Sequence, residues 1–134
     1  MLERLGLPPD VFDRSADEQR REVERREGLY RSGQDGLELR GCSVILTDDG
    51  LATGATMKAA VEAVRKAEPR RLIVAVPVAA RVTADEFRGM LRGPGEEFIC
   101  LYEAEALDGV GRWYDDFRQI QDVEVGELLD AAAC

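Results

Sequence analysis

Three short apolar runs, Val44-Ile45-Leu46-Thr47, Leu72-Ile73-Val74-Ala75-Val76 and Phe98-Ile99-Cys100-Leu101, constrain this chain more than any other feature. They are rich in β-branched residues and do not alternate with polar ones, the pattern of strands covered on both faces. Between the first two runs, Met57, Ala60, Val61, Val64 and Ala67 fall on one face of a helix from about Gly54 to Glu68. Lys58, Glu62, Arg65 and Lys66 fall on the other face, and Pro69 stops the helix. Between the second and third runs, Thr83 and Glu86 have the spacing of a capping box. They open a short helix through Phe87, Met90 and Leu91 that ends at Gly93-Pro94-Gly95. Strand, helix, strand, helix, strand in this order implies an α/β fold with a parallel sheet and right-handed crossovers.

The flanks differ in character. Residues Pro9 to Arg31 carry a sparse apolar stripe, including Phe12, Ala16, Val23 and Tyr30, among dense charges, which predicts a helix that buries little. Ser15 and Glu18 fit a second capping box there. Ser32 to Gly41 reads as loop with a short extended piece at Leu37 to Leu39. After the third strand comes an irregular stretch, Tyr102 to Gln121, and then a helix from about Asp122 through Leu129. The expected organisation is a charged helix and loop over 1–36 and an α/β domain over 37–134.

Composition narrows the chemistry. Among 134 residues, 18 Lys plus Arg against 27 Asp plus Glu give a net charge of −9, and there is no histidine. Serine-histidine and cysteine-histidine pairs are therefore excluded, as are zinc sites that need an imidazole. A basic stripe for nucleic acid is lacking, so any anionic ligand has to be held locally. The longest apolar stretch, Leu72 to Ala80, is short of the roughly 20 residues that a membrane helix needs. With no CxxC spacing and no basic-then-apolar leader, a cytoplasmic protein with free thiols is expected. Cys42 and Cys100 sit in strand-like contexts and are expected to be buried and structural.

The segment that carries chemistry is Val44-Ile45-Leu46-Thr47-Asp48-Asp49-Gly50-Leu51-Ala52-Thr53-Gly54-Ala55-Thr56. A strand ends in two carboxylates, passes through a loop of small residues and enters a helix at Thr-Gly-x-Thr. Small residues let the backbone wrap a ligand, and the first N–H groups of the helix point into the loop. A phosphate can bind there without a lysine, with the hydroxyls of Thr53 and Thr56 as further donors. Asp48 and Asp49 are acceptors for sugar hydroxyls or indirect partners of a divalent metal. The loop fits neither GxxxxGK[ST] nor GxGxxG.

These thirteen residues resemble the signature of type I phosphoribosyltransferases, which bind 5-phosphoribosyl 1-pyrophosphate. Met57-Lys58-Ala59-Ala60, the run Val76 to Ala79, Gly111-Arg112-Trp113-Tyr114-Asp115-Asp116-Phe117 and the last acidic helix are similar to one bacterial subgroup of that family. The resemblance implies a three-layer α/β/α fold. It places Asp48 and Asp49 on the ribose hydroxyls and the loop Ala52, Thr53, Gly54, Ala55 and Thr56 around the 5-phosphate. It also implies Mg²⁺ bound mainly through substrate oxygens near Asp48 and Asp49, and an acceptor nitrogen that displaces pyrophosphate. Trp113 and Tyr114 fall where relatives hold the acceptor, which leaves two readings, stacking on a planar base or, for Trp113, a place in the core. Where purine-salvage members carry an aspartate, Ala52 stands here, which disfavours a hypoxanthine-guanine reaction.

Family members have two further parallel strands and a pyrophosphate-binding loop before this signature, and the first 36 residues contain no apolar strand to match them. The expectation is a carboxyl-terminal portion of the fold with an exposed edge at Val44 to Thr47. That edge implies a partner, either a second copy or a separately encoded N-terminal half, unless the chain is a gene remnant with no partner. The alternative function is a noncatalytic module that binds a sugar phosphate or nucleotide and acts in regulation.

Overall fold

A computed structural model describes residues 38–132 together with Arg21 and Arg25. The expected N-terminal helix, the loop up to residue 37 and Cys134 lie outside the described residues, except that Arg21 and Arg25 are helical. The chain divides into two compact units, Leu37–Arg118 and Met1–Gly36 with Gln119–Cys134.

The Leu37–Arg118 unit contains β1 (Ser43–Thr47), α1 (Ala55–Lys66), β2 (Arg71–Ala80), α2 (Arg81–Met90), β3 (Glu96–Ala104) and a 3-10 turn at Val110–Trp113. The strands form one parallel sheet in the order β1-β2-β3, with Val44 opposite Leu72 and Val74 opposite Phe98. β2 and β3 run further than their apolar cores suggest. The β2 ladder skips Pro77, which has no N–H to offer, and resumes at Val78 opposite Tyr102.

Crossovers that step the same way across a sheet put both helices on one face. Met57, Val61 and Val64 of α1 and Phe87 and Ala84 of α2 share a single core with Leu72, Val74 and Val76. Phe87 is fully buried and stacks on Phe98 with ring centroids 5.5 Å apart. Burial of such a ring stabilises by roughly 2 to 3 kcal/mol. On the opposite face, Ile45 is 59% exposed, Ile99 40% and Leu101 81%. The helical layer expected there is not among the described residues. Those residues also leave β1 on the sheet edge, so Val44 to Thr47 is not covered on both faces as its apolar composition suggests.

Two local expectations are corrected. Thr83 does not cap α2: the helix begins at Arg81 with Ala80 as N-cap, and Thr83 is buried inside its first turn. Cys42 is exposed, because it precedes β1 and lies at the end of the sheet away from the core; Cys100 is half-buried.

At the amino ends of the strands, Arg65 ties α1 to the start of β3. Its guanidinium donates to both Glu96 oxygens, at 2.6 and 2.8 Å, and to the Met90 carbonyl at 2.9 Å. The Gly93 N–H adds a 3.0 Å bond to Glu96. The Arg65 hydrogen bonds hold the Glu96 carboxyl below the usual carboxylate range, with burial opposing them.

The second unit is described only at Arg21, Arg25 and from Gln119 to residue 132. There α3 (Asp122–Ala132) forms as its acidic first turn suggests, and the Asp122 carboxylate accepts a 2.8 Å bond from Arg25.

A carboxyl with a lowered folded pKa stabilises the fold above its ordinary pKa, and that contribution disappears as pH falls through the lowered value. Glu96→Gln is expected to cost roughly 1 kcal/mol at neutral pH, allowing for the solvent that still reaches Arg65. Urea unfolding checks this, and the gap between wild type and variant should narrow below about pH 4.

Candidate functional site

The loop between β1 and α1 is held at three points, one on the carboxyl end of the sheet and two on α2. Leu51, 2% exposed, continues the sheet for one residue: its N–H donates to the Val78 carbonyl and its own carbonyl accepts from the Ala80 N–H, both at 2.9 Å. The Thr83 hydroxyl donates to the Ala52 carbonyl at 2.6 Å. Gly54 then turns the chain into α1 at φ 68°, a conformation that favours glycine. A Cβ on Gly54 would lie 2.5 Å from Cε2 of Phe87 and 3.0 Å from Cγ2 of Thr83, so the loop rests directly on the core.

The result is a cleft of about 150 Å³ lined by Asp48, by Gly50 and by the backbone from Leu51 to Met57. It contains the whole predicted phosphate loop, Ala52, Thr53, Gly54, Ala55 and Thr56, and one of the two predicted ribose ligands, Asp48. No side chain caps α1 and its first turn carries no acidic residue, so its leading N–H groups face the cleft without a competing carboxylate. Thr53 and Thr56 are exposed beside them. Among the described residues no basic side chain lines the cleft. Lys58, one turn further along, is paired with Glu86 and lies 5.9 Å from the Phe87 ring centroid.

Asp48 and Asp49 are both exposed at the end of β1, and the Asp49 N–H donates to the Asp48 carboxylate at 3.0 Å. Behind the turn, the Tyr114 hydroxyl donates to the Asp49 carbonyl at 2.7 Å. Burial pushes the Tyr114 phenol above its ordinary value, and the charges of Asp49 and Asp48 add to the shift. Of the two aromatic residues expected near an acceptor, Trp113 is 42% exposed and meets Tyr102 with ring centroids 4.5 Å apart. Tyr114 instead packs on Phe117 at 5.1 Å.

Residue types alone do not single out the hydroxyls of Thr83 and Tyr114 as supports of this loop and the turn before it. The spacing of Thr83 suggested a cap, and only the close approach of α2 to the loop turns its hydroxyl toward Ala52.

No helix among the described residues is long and apolar enough to cross a membrane. Nor do the described residues include a cluster of three or more His, Cys, Asp or Glu side chains that could hold a metal ion.

A parallel three-strand sheet with its helices, whose first strand ends in paired carboxylates ahead of a glycine-turned helix start, has the form of a phosphoribosyltransferase-type domain. The phosphoribosyl transferase domain model matches residues 2–90, and the chain belongs to that family. Two Mycobacterium tuberculosis proteins, "Putative phosphoribosyl transferase Rv0571c" of strain H37Rv and its counterpart MT0597 of strain CDC 1551, are each 35% identical to it over 111 residues. The match covers 83% of this chain but 24% of either relative, so the chain spans about a quarter of their length. The crystal structure of TT1426 from Thermus thermophilus superposes with a TM-score of 0.71 at 33% identity, over 96% of this chain and 60% of that one.

Gly54→Ala tests how tightly the loop rests on the core. The positive φ and the Phe87 contact together predict a loss of roughly 2 kcal/mol in urea unfolding. A loss below about 0.5 kcal/mol would show that the loop can lift without disturbing the sheet.

Proposed function

We propose that this chain binds the ribose 5-phosphate part of 5-phosphoribosyl 1-pyrophosphate and serves the transfer of phosphoribose to a nitrogenous acceptor. The observation that carries this reading is the cleft from Asp48 to Met57, which joins the exposed Asp48 carboxylate, with Asp49 next to it in the chain, to an uncapped helix start. The 5-phosphate sits on the N–H groups of Ala55, Thr56 and Met57 and on the hydroxyls of Thr53 and Thr56, within the loop that Ala52 and Gly54 shape. Asp48 and Asp49 accept from the ribose hydroxyls. In the transfer, the bond from C1 to the pyrophosphate oxygen breaks, the pyrophosphate leaves with that electron pair, and an acceptor nitrogen bonds to C1 with its lone pair. Trp113, with Tyr102 behind it, offers the stacking surface for a planar acceptor; Tyr114 offers only what its contacts with Phe117 and Asp49 leave exposed.

Two adjacent carboxylates and no histidine suit a magnesium ion that takes most of its ligands from the substrate. When bound, Mg²⁺ would neutralise charge on the leaving pyrophosphate. The open β1 edge and the apolar face at Ile45, Ile99 and Leu101 favour a partner, a second copy or a separately encoded N-terminal half. The acidic charge and the cleft chemistry suit a protein that works among small phosphorylated metabolites in the cytoplasm, away from nucleic acid and membrane.

A second reading, a noncatalytic sugar-phosphate or nucleotide-binding regulatory module, is favoured by one observation: among the described residues the cleft is lined by Asp48 and by Gly50 to Met57, with no second loop beside them that would take pyrophosphate. Release of pyrophosphate by the purified chain with any nucleobase rules this reading out.

Calorimetry with ribose 5-phosphate and Mg²⁺ is expected to show binding to the wild-type chain. Asp48→Asn combined with Thr56→Ala should weaken it by at least about tenfold, from lost charge-assisted and neutral hydrogen bonds. Unchanged affinity in the double variant would remove the site assignment. Sedimentation of the chain alone should show self-association; a strict monomer leaves the separately encoded half as the partner.

A further inference from the structure

The segment after β3 reaches back onto the acidic turn at two points. Val110 presses on Gly50: a Cβ there would lie 2.8 Å from one Val110 methyl and 2.9 Å from a Val78 methyl, so only a glycine lets the turn pass beneath. Tyr114 donates its phenolic proton to the Asp49 carbonyl at 2.7 Å, and its ring is backed by Phe117 at 5.1 Å. Gly111 in turn allows Phe117 to approach, since a Cβ on it would come within 2.8 Å of that ring. The 3-10 turn from Val110 to Trp113 lies between these two attachments, so one short segment grips the turn at both Asp49 and Gly50.

We propose that Tyr114 is a positioning residue for the ribose end of the cleft, acting through the Asp49 carbonyl to set where the Asp48 and Asp49 carboxylates stand. The role rests on the ribose-binding reading of those two carboxylates. The phosphate loop is held separately, by Leu51 on β2 and Thr83 on Ala52, and makes no use of Tyr114. Loss of the phenol therefore separates the two ends of the ligand. A bond of this kind is worth roughly 1 kcal/mol, which corresponds to about a fivefold change in affinity.

The test uses the full chain carrying Tyr114→Phe, titrated by NMR with ribose 5-phosphate and, separately, with inorganic phosphate. The expected result is about a fivefold weaker affinity for ribose 5-phosphate and a phosphate affinity within about twofold of wild type. Equal loss on both probes, or loss on neither, overturns the proposal. Backbone amide shifts in the ligand-free protein supply a reading that does not depend on any ligand. The Gly50 N–H shares its peptide with the Asp49 carbonyl, so its signal should move in Tyr114→Phe, while that of Leu51, bonded to Val78, stays in place. An unmoved Gly50 signal also overturns the proposal. If Asp48→Asn leaves ribose 5-phosphate affinity intact while the Gly50 signal moves as expected, the ribose reading is what has failed, and the positioning role falls with it.

Discussion

Leu51 stays hydrogen-bonded to β2 at both its N–H and its carbonyl after the chain has left β1, and the cleft depends on this bridge. It holds the middle of the loop against the sheet end, so that the acidic turn stands on one side of it and the helix start on the other. With Leu51 buried at 2% exposure, movement of the loop would expose an apolar side chain and leave two backbone groups unpaired. Thr83 and Phe87 of α2 complete the support from beneath, one by a hydroxyl on Ala52 and one by a ring against Gly54. A loop composed almost wholly of small residues thus keeps one shape without large side chains of its own.

That architecture reconciles an acidic chain with the anionic ligand proposed for it. At a net charge of −9 the long-range field repels a phosphate, and among the described residues no basic side chain lines the cleft to counter it. The local field differs, because α1 presents uncapped N–H groups and no carboxylate in its first turn. The two carboxylates stand at the other side of the bridge, where hydroxyl donors rather than phosphate oxygens suit them. Sorting charge across a single buried leucine gives the cleft its polarity.

Much of this was legible in the residues. Unbroken apolar runs marked all three strands, the 3.6-residue stripe marked α1 and α2, and small residues between Asp48 and Thr56 marked the loop. Sequence could not show what depends on packing between distant segments. Thr83 and Glu86 have the spacing of a cap, yet α2 starts two residues before Thr83, so its hydroxyl serves the loop and Glu86 pairs with Lys58. Cys42 looked like part of a buried strand because it adjoins one, but burial begins only beyond it. Val44 to Thr47 has the composition of a strand covered on both faces, and among the described residues only one face is covered; composition records what a strand is suited to meet.

Under the proposed function, one cleft binds phosphate at the start of α1 and ribose at the end of β1. The decisive measurement is the pattern of backbone amide shifts when the isotopically labelled chain is titrated with ribose 5-phosphate. Ala55, Thr56 and Met57 are expected to move together with Asp48 and Asp49, while the amides at the opposite end of the sheet, around Arg65 and Glu96, stay in place. Shifts centred on that opposite end, or confined to residues outside the cleft, would contradict the shared site.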